Sequence, residues 1–302
     1  MSKPEDLYEL EGTPPQLTRP VLLHSLDGFI DAGSAGQLVR DHILDTLEHR
    51  VVARFDVDQL IDYRARRPIM TYDKDHWASY DPPEIAVRLV HDAAGVPFLF
   101  LTGLEPDRLW EGFTAATRSL IERLDVGLTV YSHGIPMGVP HTRPLGVTSH
   151  ATRPELIADR SQWFGRVEVP GSIAGLLELR LGEAGLDAIG FAVHVPHYLS
   201  QTTYPASAVA ALEAVTSATG LVIPADELRE AAVRADADIA EQVADSEEVT
   251  KVVEALEQQY DAFAGSAQRD PLLAQDQDMP TAEELAAQFE RFLAEQDGPS
   301  DS

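Results

Sequence analysis

The sequence predicts an α/β core with a largely parallel sheet, followed by an all-helical extension. Short apolar runs of strand length recur at residues 21–26, 97–101, 128–131 and 187–195. Helix-period patterns follow most of them: Leu38, Val39, His42 and Ile43; Leu109, Trp110, Phe113 and Leu120; Val209, Leu212 and Val215. Beyond Gly220 the strand patterns stop and only helical stripes remain. Strands alternating with helices build parallel sheets, and a run of helices after them packs as an addition.

The first strand and helix, within Pro20–Ile43, meet at Gly28-Phe29-Ile30-Asp31-Ala32-Gly33. Open α/β sheets place their ligand crevice at such strand-turn-helix corners. The glycines permit backbone angles closed to other residues, and Ser34 is placed to cap the helix. A helix start favours anions, yet Asp27 and Asp31 oppose a phosphate, and Ser34 stands where a phosphate loop needs lysine. A nucleotide-phosphate loop is therefore rejected. Asp31 either orders the turn or faces a ligand.

Val51 to Asp58 alternates as a half-exposed strand, with Ala53, Phe55 and Val57 on one side. The arginines of Asp62–Pro68 then pair with Asp56, Asp58 and Asp62, or meet a neighbouring subunit or acidic ligand. Trp110 and Phe113 read as core. After Leu128–Tyr131 comes an excursion, His133 to Pro144, stiffened by three prolines and two glycines. It has no core reason to exist, so ligand or subunit contact is expected. Ser172 caps the next helix, and a buried strand ends at Pro196-His197-Tyr198. Beyond Gly220, Leu228 to Val243 and Val249 to Phe263 form two stripes, with Asp245 and Glu248 spaced as a capping box. Gly265–Pro280 reads as a linker and Thr281–Leu293 as a last helix. The expected domains are 1–220, the core, and 221–302, a helical extension with an acidic tail that acts as a lid.

Composition narrows the function. The 302 residues carry a net charge of −27 and no cysteine. Such a charge argues against nucleic acid and anionic membranes. The lack of cysteine removes disulfides and thiol chemistry and fits a cytoplasmic protein. The N-terminus, Met1 to Glu11, is polar and acidic, unlike a signal peptide, and no apolar run approaches a membrane span. Residues 221–302 hold 21 acidic against 5 basic residues, either a solvated surface or a handle for a basic partner.

Polar residues cluster where the strands end: Asp27 and Asp31; Glu105 and Asp107; His133, His141 and Arg143; His197 and Tyr198. In a parallel sheet these ends share one edge, where carboxylates beside histidines suit acid–base work or metal binding. No metal-ligand spacing and no nucleophile-base pair can be assigned, so the catalytic residues are left unknown and no cofactor or metal is expected. The eight crevice candidates are Asp31, Glu105, Asp107, His133, His141, Arg143, His197 and Tyr198.

Gly28-Phe29-x-Asp31-Ala32-Gly33, Glu105-Pro106-Asp107, Pro140-His141-Thr142-Arg143-Pro144, Pro170-Gly171-Ser172 and Val195-Pro196-His197-Tyr198 resemble the proteasome assembly chaperone 2 family, in its actinobacterial branch. The resemblance covers nearly the whole chain. It implies a phosphorylase/hydrolase-like, three-layer α/β core with a C-terminal helical extension, and a homo-oligomer, with a trimer favoured. Eukaryotic relatives chaperone proteasome assembly, which implies a protein partner of proteasome type. Their C-terminal hydrophobic-tyrosine-x motif is missing from the ending Gly298-Pro299-Ser300-Asp301-Ser302. Some relatives carry an ATP-grasp or carboxylate-amine ligase label that the residues here do not support. The expected function is a non-enzymatic assembly or scaffold protein. The alternative is a small-molecule binder, hydrolase or transferase using the crevice.

Overall fold

The computed structural model describes residues 4–159 and 165–267. The strands are β1 (Tyr8–Leu10), β2 (Val21–Asp27), β3 (His49–Phe55), β4 (Met70–Asp73), β5 (His76–Tyr80), β6 (Ile85–His91), β7 (Pro97–Leu104), β8 (Leu128–Met137), β9 (Val147–Ala151) and β10 (Ala188–Pro196). The helices are α1 (Ala35–Thr46), α2 (Val57–Leu60), α3 (Trp110–Arg123), α4 (Ile173–Glu183), α5 (Pro205–Thr219), α6 (Asp226–Ala244) and α7 (Glu247–Ala267).

Eight strands form one mixed sheet in the order β1-β3-β6-β7-β2-β8-β10-β9. Its centre, β7-β2-β8-β10, is parallel. The β1-β3-β6 flank and the β9 edge are antiparallel. Period-two alternation sends neighbouring side chains to opposite faces. Leu23, Phe98 and Phe100 join Val39, Ile43, Ala211 and Leu212 in one core, on the side of α1 and α5. Leu22, Leu99 and Leu101 join Phe113, Leu120, Leu177 and Leu181 in the other, on the side of α3 and α4. The result is the expected three-layer arrangement. Each large apolar side chain so buried contributes roughly 1.5–3 kcal/mol.

Several boundaries differ from the sequence reading. β3 stops at Phe55 because Asp56 accepts the Asp58 amide at 3.1 Å and starts the short α2. β8 continues through His133 to Met137, since pairing with β10 runs to Pro136 and Met137; the irregular excursion begins only at Gly138. Residues 69–96, given no element above, hold β6 and a separate two-stranded hairpin, β4-β5. Every residue of that hairpin is exposed, so it carries no alternating burial signal.

Gly220, at φ 73 in the left-handed region, ends α5 as the pattern suggests. The following segment is nonetheless pinned to the core. Buried Asp92 accepts the Val222 amide at 2.8 Å, and the His42 ring meets the Pro224 carbonyl at 2.5 Å. Leu228 and Ala232 of α6 are buried, and α6 packs on α5. The chain divides into two compact units, Met1–Glu257 and Gln258–Ser302, and α6 falls within the first. The break before α7 comes at Ser246, whose hydroxyl accepts the Val249 amide at 3.4 Å, not at the expected Asp245 box. Gly265–Ala267 are helical. The rest of the expected linker, the Thr281–Leu293 helix and the acidic tail lie outside the described residues. Among the described residues no helix is long and apolar enough to cross a membrane.

Candidate functional site

The corner after β2 is held by a carboxylate. Asp31 Oδ1 accepts the amides of Gly36 and Gly134, each at 2.9 Å, and Oδ2 accepts that of Gln37 at 3.0 Å. Two of these amides are free donors at the start of α1, and the third belongs to β8. A carboxylate is well matched to a helix N-terminus by both hydrogen bonding and dipole. Ser34, the expected cap, makes no such bond; its backbone sits in the left-handed region at φ 55 instead of the extended conformation a cap needs. Gly33, at φ 67, ties the corner to the segment before α5 through its amide to Ser200 and its carbonyl from Tyr204. A side chain at position 134 would overlap the Ala32 carbonyl, so the glycine lets β8 approach the turn. With Asp31 on the helix amides, the anion site that α1 would otherwise offer is filled from within the chain.

Beside this corner lies a cavity of about 370 Å³, lined by His24, Asp27, Phe29, Asp31, Tyr131 and His133 among others. His24 stacks on Tyr131 with ring centroids 4.8 Å apart, and Tyr131 on His133 at 5.7 Å. Burial lowers the His24 imidazole to about 3. It lowers His133 to about 4, helped by neighbouring His150. Both rings are therefore neutral at pH 7. Burial also raises the Tyr131 phenol, which lies 3.5 Å from His150, itself bonded to Glu178 at 2.9 Å.

The eight candidates divide into three places. Asp31 and His133 line the cavity. Glu105 and Asp107 do not; they brace loops. Buried Glu105 accepts the Ile173 amide at 2.7 Å, at the start of α4, where Ser172 caps as expected. Asp107 accepts the Asp62 amide at 2.7 Å and pairs with Arg66 at 3.2 Å. Arg66 also donates to the Asp27 and Glu105 carbonyls, and Arg108 pairs with Asp62. The positive segment thus finds its partner across the loop at Asp107, not in Asp56 or Asp58.

The remaining four lie at a second polar cluster, beneath the helical extension. Tyr198 Oη lies 2.8 Å from His141 Nδ1 and accepts the His141 amide at 2.9 Å. Arg143 pairs with Glu257 of α7 at 3.2 Å. His141 faces Asp236 of α6 and Glu257; burial lowers its affinity for a proton against the pull of both. Burial raises Asp236, which faces Tyr204 and His141. His197 packs edge-on against Tyr198. The expected lid thus meets the His141–Tyr198 cluster, while no residue of α6 or α7 lines the Asp31–His133 cavity. None of Glu105, His141 or His197 is among the residues lining that cavity with Asp31, although Glu105 lies against Gly28, which does line it. Among the described residues no group of three or more His, Asp or Glu side chains is arranged to hold a metal.

The sequence reading missed His24, Tyr131, His150, Asp236 and Glu257. His24 had a visible signal, a lone polar ring inside the apolar run Val21–Leu26. The others become neighbours only through tertiary packing.

The PAC2 family model matches residues 25–243. A Mycobacterium tuberculosis protein of unknown function is 47% identical, with a TM-score of 0.82, over 88% of this chain and 94% of its own. A Corynebacterium glutamicum protein of unknown function is 37% identical, with a TM-score of 0.81, over 86% and 99%. A proteasome-assembly chaperone homologue from M. tuberculosis shares the fold at 24% identity and a TM-score of 0.71, over 77% and 99%. No functionally curated protein is significantly similar to the chain.

Proposed function

Because the chain belongs to the PAC2 family, we propose that it is a non-enzymatic assembly or scaffold protein, working in the cytoplasm as a homo-oligomer, with a trimer favoured. Its client is a protein partner of proteasome type, a reading supported by the fold shared with the proteasome-assembly chaperone homologue. The observation that carries the proposal is the β4-β5 hairpin. It exposes Ile69, Met70, Tyr72, Trp77 and Tyr80, with Trp77 64% accessible. An isolated two-stranded hairpin is marginal in water, and a contiguous apolar patch marks an interaction surface. Copies of this chain are its occupant.

The stiff insertion from Ile135 to Thr148, whose prolines and glycines lower the entropy cost of presenting a binding edge, is a second candidate for the subunit contact. Ile135–Met137 belong to β8, and His141 and Arg143 bind Tyr198 and Glu257 of the same chain.

The test is light scattering of the full chain at micromolar concentration, for wild type and for Tyr72→Asp/Trp77→Asp. Wild type is expected at three times the 33.0 kDa chain mass, and the double variant at one. A monomeric wild type, or a double variant of unchanged mass, would remove the hairpin from the assembly.

A further inference from the structure

The cavity beside Asp31 has a chemistry that assembly does not use. No residue of the hairpin, of α6 or of α7 lines it. Two of its imidazoles, His24 and His133, have no hydrogen-bond partner among the described residues, and the buried Nδ1 of His133 is an orphan. Unpartnered buried polar groups are rare because each costs about 1–3 kcal/mol, and those that persist call for an explanation.

Charge narrows what could partner them. The neighbouring cations are already engaged: Arg40 is paired with Asp27 and Asp41, and Arg66, which lies against Gly28 of the lining, is paired with Asp107. The α1 amides are taken by Asp31, and the carboxylates of Asp27 and Asp31 repel an anion. A cation fares no better. Asp31 is satisfied by three amides and Asp27 by Arg40, and surroundings that keep two imidazoles uncharged also disfavour a bound positive charge. Phe29, Tyr131 and the two imidazoles supply flat apolar surface. A neutral imidazole both donates and accepts, so each presents complementary groups to one ligand. The volume is that of a small-molecule site.

We propose that the cavity between β2, the start of α1 and β8 binds an uncharged, planar, hydrogen-bonding small molecule of the neutral heterocyclic amide kind, held by His24 and His133 against Phe29 and Tyr131. The site stands independently of the assembly role.

The probes are nicotinamide, its anionic partner nicotinate, the cation 3-(aminomethyl)pyridine, and the non-planar neutral xylitol. Each is titrated into the full-length protein carrying 15N-labelled histidine, with the ring nitrogens read by NMR. Nicotinamide is expected to shift the His24 and His133 ring signals, with a dissociation constant of about 1–10 mM, as suits so few heavy atoms. Nicotinate and 3-(aminomethyl)pyridine should bind at least about tenfold more weakly, and xylitol should cause no shift. His133→Phe keeps a ring against Tyr131 and should lose about tenfold in nicotinamide affinity while leaving the oligomer mass unchanged. Silent ring signals at about 50 mM nicotinamide, equal binding of a charged probe, or equal binding of xylitol would each overturn the proposal. So would a folded His133→Phe variant that binds as wild type. The wild-type titration decides the matter alone should that variant not fold.

Discussion

Asp31 joins three backbone amides that no other described side chain serves: two at the start of α1 and one from β8. Bonds of this kind to a charged acceptor are worth more than neutral ones, and their loss strands the donors. Asp31→Ala should therefore destabilise the fold by about 2–4 kcal/mol, read as a drop in urea midpoint at unchanged slope. Asp31→Asn should restore part of this, because the amide oxygen still accepts while its NH2 faces a backbone N–H. An Ala variant within about 0.5 kcal/mol of wild type would mean that the carboxylate is kept for a ligand. Of the two roles open from sequence, the geometry favours the turn-ordering one. The same residue explains why a glycine-rich corner resembling an anion site should not bind phosphate.

At the scale of elements, what was legible is what carries periodicity. The β2–α1 corner, α3, α4, β10 and α5 follow from apolar runs and one-turn spacings, because each has one buried face. The β4-β5 hairpin has none, since its residues are all exposed, and it left no pattern to read. The candidate site was legible as a set of strand ends but not as a geometry. The loop after β7 turns toward Arg66 and α4, and the one after β8 toward α7, so one expected crevice becomes two polar clusters and a cavity. The cluster under the extension makes its own prediction. Arg143 and Thr142 bind Glu257, with both charged side chains about two-thirds buried or more. Glu257→Ala should cost about 1 kcal/mol locally and speed hydrogen exchange about fivefold in residues 139–146 and 249–257. Exchange at residues 24–37 should not change. A matching rise there would mean that the extension and the cavity open as one unit.

At the scale of the whole molecule, two buried imidazoles, His24 and His194, and the partly buried His133 couple folding to acid. Burial lowers His24 to about 3, and His133 and His194 to about 4, from an ordinary value of 6.5. His24 faces Tyr131, His133 faces Tyr131 and His150, and His194 bonds to Thr148 at 2.7 Å. The unfolded chain takes up protons below pH 6.5, while the folded chain refuses them until pH 4 or lower. More protons are bound by the unfolded state in that window, so stability must rise with pH across it and fall on acidification. Each histidine contributes a slope of about 1.4 kcal/mol per pH unit, and the three together up to about 4. Asp236, whose proton affinity burial raises, acts in the opposite sense and moderates the total. Urea midpoints between pH 7 and pH 5 should therefore decline steeply, without a matching loss between pH 8 and pH 7. Replacing His24 with Phe keeps a ring against Tyr131 and removes one titrating site, so it should flatten the slope by about one proton. A midpoint independent of pH from 7 to 5, or a His24→Phe variant with the wild-type slope, would show that the imidazole takes up protons in the folded state as readily as in the unfolded one.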